Sequence, residues 1–144
     1  MKVPKSKPSS CLLRGFCACA LMTVVGCGGV KVVPVSGKAT LDGEPLRRGV
    51  VSFNPDPAKG NNLRVACTGR MNGDGQYEMY TDDGSSVKKG VPVGWYKVTI
   101  LTLTPGNDKP IPVHNRYTDF NKTDLVIEVV ADPPLGAYDL KFTK

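Results

Sequence analysis

Paired thiols, a second histidine and helical periodicity are all missing from this chain. His114 is its one histidine, so no His-Glu-x-x-His zinc site can be built, and no Gly-x-Ser-x-Gly nucleophile elbow occurs either. Of five cysteines, four fall at or before position 27, which leaves Cys67 alone in the rest of the chain. One thiol cannot close a disulfide within that remainder, so the fold must rest on a hydrophobic core, which about 110 residues can supply. No stretch after the leader described next carries a 3.6-residue apolar period, which excludes a helical body.

What is present begins with a leader. Lys2, Lys5, Lys7 and Arg14 form a basic lead without an acidic residue, and Gly15 to Val25 is a run of eleven apolar and small residues. That is short of the roughly 20 needed to cross a bilayer as a helix and matches a signal-peptide core of about 7–15. A short buried or membrane-spanning helix fits less well with the basic lead and with Pro4 and Pro8. The run ends Val24-Val25-Gly26-Cys27, which resembles the lipobox of bacterial lipoproteins. A thiol is the nucleophile that takes a diacylglyceryl group, and Gly26 leaves a peptidase room to cut before it.

The resemblance implies that Cys27 becomes the acylated N-terminal residue and that the membrane is a partner through its acyl chains. One chain binds only marginally, whereas two or more hold firmly. The expected organisation is a signal peptide over 1–26, a lipidated tether over 27–33 and a β-sandwich over 34–144. The expected location is the periplasmic side of a bacterial cell envelope. Gly28 stands where an Asp retains many lipoproteins at the inner membrane, so the analogy favours the outer one.

Loss of the leader also changes the charge. The full chain carries 19 basic and 13 acidic residues, and four of the basic ones lie in the leader, leaving 15 against 13, a net +2. Nucleic-acid affinity rests on many phosphate contacts, and no basic field of that size remains. Arg47-Arg48 and Lys88-Lys89 are isolated pairs, expected as solvated strand or loop ends.

The remainder is organised around Val35 to Phe53. Val35, Gly37, Ala39 and Leu41 share one parity against Ser36, Lys38 and Thr40, the two-residue period of a strand with one buried face. Asp42-Gly43 supplies the positive φ of a tight reversal, and Pro45 is expected to bar a regular ladder. A second strand follows with Val51 and Phe53 inward. Alternation then predicts strands over 63–71, 76–80, 95–103, 125–129 and 138–142, separated by loops at 54–62, 82–94 and 104–123. Tyr77, Tyr96 and Tyr138 fall on inward parity and are expected in the core. Seven short strands with turn signals between them mean an all-β antiparallel sandwich.

The order Gly37-Lys38-Ala39-Thr40-Leu41-Asp42-Gly43-Glu44-Pro45-Leu46, Gly49 to Phe53, Asp74-Gly75-Gln76-Tyr77 and Gly94 to Ile100 resembles the carboxypeptidase regulatory-like, or transthyretin-like, β-sandwich. The tail from Ile111 through Tyr117, and from Leu125 to Leu140, is similar to small lipoproteins of planctomycete bacteria. The likeness covers nearly all of residues 34–142 and bears on fold rather than function. One enzyme branch of the transthyretin-like fold hydrolyses a purine-catabolism intermediate. It requires several histidines and a C-terminal Tyr-Arg-Gly-Ser, and this chain ends Lys141-Phe142-Thr143-Lys144.

No catalytic group, metal site or cofactor is therefore expected. A Cys67–His114 dyad fails because Cys67 has inward parity. Asn72, Asp74, Asp82 and Asp83 are oxygen donors without the spacing or closing Glu of a calcium loop, so a hairpin whose Asn and Gly accept positive φ is expected there. Asn121-Lys122-Thr123 is a formal glycosylation sequon of little weight in a bacterial lipoprotein. The candidate ligand-binding residues are Trp95 and Tyr80, both of outward parity, with Trp95 expected at least half exposed. The expected function is that of a non-catalytic, lipid-anchored structural or interaction module of the envelope; the alternative is a module that binds an envelope polysaccharide or a protein through these two aromatics.

Overall fold

The computed structural model describes residues 30–102 and 110–144. The leader and Cys27 lie outside the described residues. Among the described residues nine strands form: β1 (Ser36–Leu41), β2 (Glu44–Pro45), β3 (Gly49–Pro55), β4 (Ala66–Met71), β5 (Gln76–Asp82), β6 (Val87–Lys89), β7 (Gly94–Thr102), β8 (Val126–Val129) and β9 (Leu140–Phe142). Two 3₁₀ turns, Pro57–Lys59 and Asn115–Thr118, are the only helical elements among the described residues. The fold is all-β, as the alternation predicts.

One hydrogen-bonded path runs β2-β1-β5-β4-β3-β7-β8, with β6 beside β5 and β9 beside β1, and the sheet curls over its own inner face. Every pairing is antiparallel except that of β1 with β9, which is parallel. That parallel pair departs from the antiparallel expectation. It arises because β1 changes partners midway: Ser36 to Lys38 pair with β5, and Ala39 to Leu41 pair with β2 and β9. The second half of β1 is thus free to take the strand arriving from the far end of the chain.

Alternate residues of each strand fill the inside. Val51, Phe53, Cys67, Met71, Met79, Val98 and Ile100 are buried in one cluster with Ala39, Leu41, Leu46, Leu140, Phe142 and the rings of Tyr77, Tyr96 and Tyr138. Phe53 sits between Tyr77 and Tyr96 at centroid distances of 6.4 and 6.1 Å. The three inward tyrosines bury their rings and still satisfy their hydroxyls: Tyr77 donates to the Tyr138 carbonyl, Tyr96 to Pro92 at 2.8 Å, and Tyr138 Oη accepts from the Val130 amide at 3.2 Å. Burial pushes the Tyr96 phenol up to about 12.

Local expectations hold where local chemistry decides. Asp42 and Gly43 both have positive φ, 51° and 89°, as a two-residue hairpin turn requires. Elsewhere the structure corrects them. Pro45 does join a ladder, opposite Thr40 in β2, because β2 is an edge strand and its missing N–H faces no partner. The loop expected over 82–94 contains β6, paired with Tyr80 to Asp82. Its turn is closed by Asp83, whose Oδ1 accepts the amides of Ser85 and Ser86 and the Ser85 hydroxyl. Those donors, with Lys88 nearby, hold the Asp83 carboxyl well below its usual range. The third strand starts at Ala66 rather than at residue 63, since Asn61 Oδ1 holds the Leu63 amide in the loop. At the next hairpin Asn72 keeps its side chain as the turn acceptor for Asp74 and Gln76, and Gly75 alone takes the positive φ of 76°.

The segment before β1 also departs from the free tether expected to residue 33. Val33 and Val91 exchange two backbone hydrogen bonds, both 2.9 Å, and Lys88 Nζ reaches the Val30 carbonyl at 3.1 Å. Residues 30–33 therefore belong to the folded body.

Candidate functional site

The outer face of the sheet, opposite the core, carries both aromatic candidates. Tyr80 lies in a cross-strand row with Thr68, Ser52 and Thr99 on β5, β4, β3 and β7. Trp95 is on β7, four residues back from Thr99. Three strand spacings across and four residues along separate the two side chains by about 20 Å. The structure does not bring them into one site.

Each instead borders its own groove. The Tyr80 groove, of about 880 Å³, is floored by outward residues of β1, β4 and β5, among them Lys38, Arg70 and Glu78. Its wall comes from the segment before β9, where Leu135 projects fully into solvent and the Asp139 carboxylate accepts the Lys38 amide at 2.9 Å. Tyr80 is 41% exposed, and its hydroxyl donates to Glu78 Oε2 at 3.4 Å. Glu78 also pairs with Lys89 at 2.9 Å, which holds its carboxyl below the usual range. A half-exposed ring among paired and unpaired polar groups is an arrangement that can stack on, and hydrogen-bond to, a hydroxyl-rich ligand.

Trp95 is less available than its parity implies. It is half-buried rather than half exposed, with the Lys59 ammonium 3.9 Å from its ring centroid; Asn61 Nδ2 donates to its backbone carbonyl at 2.9 Å. The smaller groove beside it, about 450 Å³, is bordered by Asn61, Leu63, Val93 and Gly94. The 3₁₀ turn after β3 places Lys59 there, a contact between residues 36 positions apart that alternation cannot reveal. Since Trp95 is the only tryptophan, Lys59→Ala is expected to shift the protein's emission to the red while costing no more than about 1 kcal/mol. An unshifted spectrum with equal stability would show that the cation does not cover the ring.

The remaining candidates separate. Cys67 is buried, its sulfur 3.3 Å from the Thr81 hydroxyl oxygen, which itself donates to the Gly90 carbonyl at 2.7 Å. The Thr81 hydroxyl proton is already committed to Gly90, so the thiol is the donor of this pair, and burial raises its pKa. His114 is exposed; its Nδ1 accepts from the Arg116 amide at 3.2 Å and its ring packs edge-on to Tyr117. Neither residue touches the other. Asn72 and Asp74 sit at one end of β5, and Asp82 and Asp83 at the other. No group of three His, Cys, Asp or Glu side chains able to hold a metal ion occurs among the described residues. Thr123 of the sequon is buried, with its hydroxyl donating to the Val98 carbonyl at 2.7 Å.

The groove residues Lys38, Arg70, Leu135 and Asp139 had no signal in the sequence, because only the return of the chain to β1 places residue 135 opposite residue 38. No family model, curated protein or solved structure matches this chain.

Proposed function

We propose that this chain is a non-catalytic, lipid-anchored protein of a bacterial cell envelope, held at the periplasmic face, with the outer membrane favoured. Its body would be a structural or interaction module of the carboxypeptidase regulatory-like type, a sandwich whose second layer is the β2-β1-β9 group. The division of β1 between two sets of partners supports that last point. The observation that carries the reading is the apolar leader that ends Val24-Val25-Gly26-Cys27, three residues before the folded body begins at Val30. Mass spectrometry of the native N-terminus is the test. A chain starting at Cys27 with acyl mass on it is expected, and Cys27→Ser is expected to abolish the modification. Native protein with residues 1–26 retained, or with an unmodified thiol at Cys27, overturns the reading.

A second reading is favoured by the Tyr80 groove: binding of an envelope polysaccharide or a protein segment there. Equilibrium binding to cell-envelope polysaccharide fractions is expected to be lost in Tyr80→Ala, with folding unchanged. Binding that survives this substitution would place the contact elsewhere.

A further inference from the structure

We propose that the β5–β6 hairpin is the face on which the body rests against the bilayer, with the lipid headgroup surface as its partner. The proposal rests on the lipid-anchor reading above and adds an orientation to it. The chain's exit from the body is pinned by two contacts. Val33 is bridged in both directions to Val91, and the Val30 carbonyl is held by Lys88 Nζ at 3.1 Å. Lys88 is in turn 3.5 Å from Asp83 Oδ2, in the hairpin turn itself. Gly90 makes this close approach possible: its φ is 118°, and a Cβ there would stand 2.4 Å from the Val33 carbonyl oxygen.

Only Gly28 and Gly29 separate Val30 from Cys27. Three Cα–Cα steps reach about 11 Å at full extension. Acyl chains on Cys27 must enter the hydrocarbon, and the polar layer above it is about 5–7 Å deep on each side. Val30, and the hairpin tip beside it, therefore cannot stand more than a few ångströms clear of the headgroups. The tip suits that position. Val87 is 67% exposed, and Gly84, Ser85 and Ser86 carry too little bulk to hold the backbone away. Lys31 is exposed on the adjoining segment, where a cation faces phosphate. The other end of β5, six residues away, stands up to about 20 Å further out. The part of the Tyr80 groove between Asn72 and Leu135 is thereby turned from the membrane.

The test uses the acylated mature protein, which starts at Cys27, in vesicles of phosphatidylethanolamine and phosphatidylglycerol. Cys67 is buried and Cys27 is blocked by its modification, so a single introduced thiol can be labelled with an environment-sensitive fluorophore. Val87→Cys and Ser86→Cys probe the hairpin, and Leu135→Cys probes the far end. Lipids bearing a spin label near the headgroup are expected to quench the hairpin labels several-fold more than the label at position 135. Equal quenching at all three, or stronger quenching at 135, overturns the orientation. If the mass of the N-terminus shows Cys27 acylated in those same samples, only the orientation has failed; if it shows no acyl group, the anchor reading fails and this inference with it.

Discussion

Phe53→Ala is expected to remove about 3–5 kcal/mol of stability, the range for deleting a buried aromatic from a well-packed core. Phe53 is 1% exposed, lies on β3 between β4 and β7, and touches the rings of Tyr77 and Tyr96. Two effects add. The side chain's transfer from water is lost, and the space left cannot collapse, because its neighbours are held by their own hydroxyl bonds to Tyr138 and Pro92. Against a total of about 5–15 kcal/mol for a domain, such a loss lowers the midpoint by more than about 10 °C. Thermal unfolding followed by circular dichroism measures it. A loss below about 1 kcal/mol would mean that Phe53 is not packed in a rigid core between Tyr77 and Tyr96.

Gly37→Ala is expected to cost about 2 kcal/mol or more in the same thermal measurement, through overpacking rather than a void. A Cβ at residue 37 would lie 2.3 Å from the Tyr138 carbonyl oxygen and 2.8 Å from its carbon, both backbone atoms that no rotamer change can move. A glycine-to-alanine change gains about 0.4–1 kcal/mol from a stiffer unfolded chain where the native geometry accepts it. Overpacking costs about 1–3 kcal/mol and occasionally more, and the rigid neighbour puts this case at the upper end. The cost exceeds the gain.

The same carbonyl accepts the Tyr77 hydroxyl, and Asp139 beside it accepts the Lys38 amide, so the wall of the Tyr80 groove shifts with it. Tyr77→Phe alone is expected to cost about 1–3 kcal/mol by leaving that buried carbonyl short of a donor. The double variant should cost less than the sum, because both changes act on one carbonyl. Additive losses would show that Gly37 and Tyr77 support the tail independently.

Much of the fold was legible in the sequence because the forces involved are short-ranged. Side chains two residues apart share a face of a strand whatever it pairs with, so Val35 to Leu41, Cys67 to Met71, Tyr77 to Met79 and Tyr96 to Ile100 showed their buried parity directly. The Asp42-Gly43 reversal is likewise settled by the steric freedom of those two residues. The candidate site was much less legible. Parity placed Tyr80 and Trp95 outward, but not the ammonium that covers Trp95 or the distance between the two rings.

From the amino-acid order alone came an all-strand body, its turns, the identity of most of its inward residues and an apolar run from Gly15 to Val25 that is followed by Gly26-Cys27. Tertiary packing decided the rest: the division of β1 between β5 and β9, the parallel pair that closes the body, the docking of residues 30–33 on Val91, and a groove built from residues about 100 positions apart. Alternation records only which side of a strand is apolar. Which edge meets which is a competition among contacts between distant segments, and their energies exist only once the chain has come together.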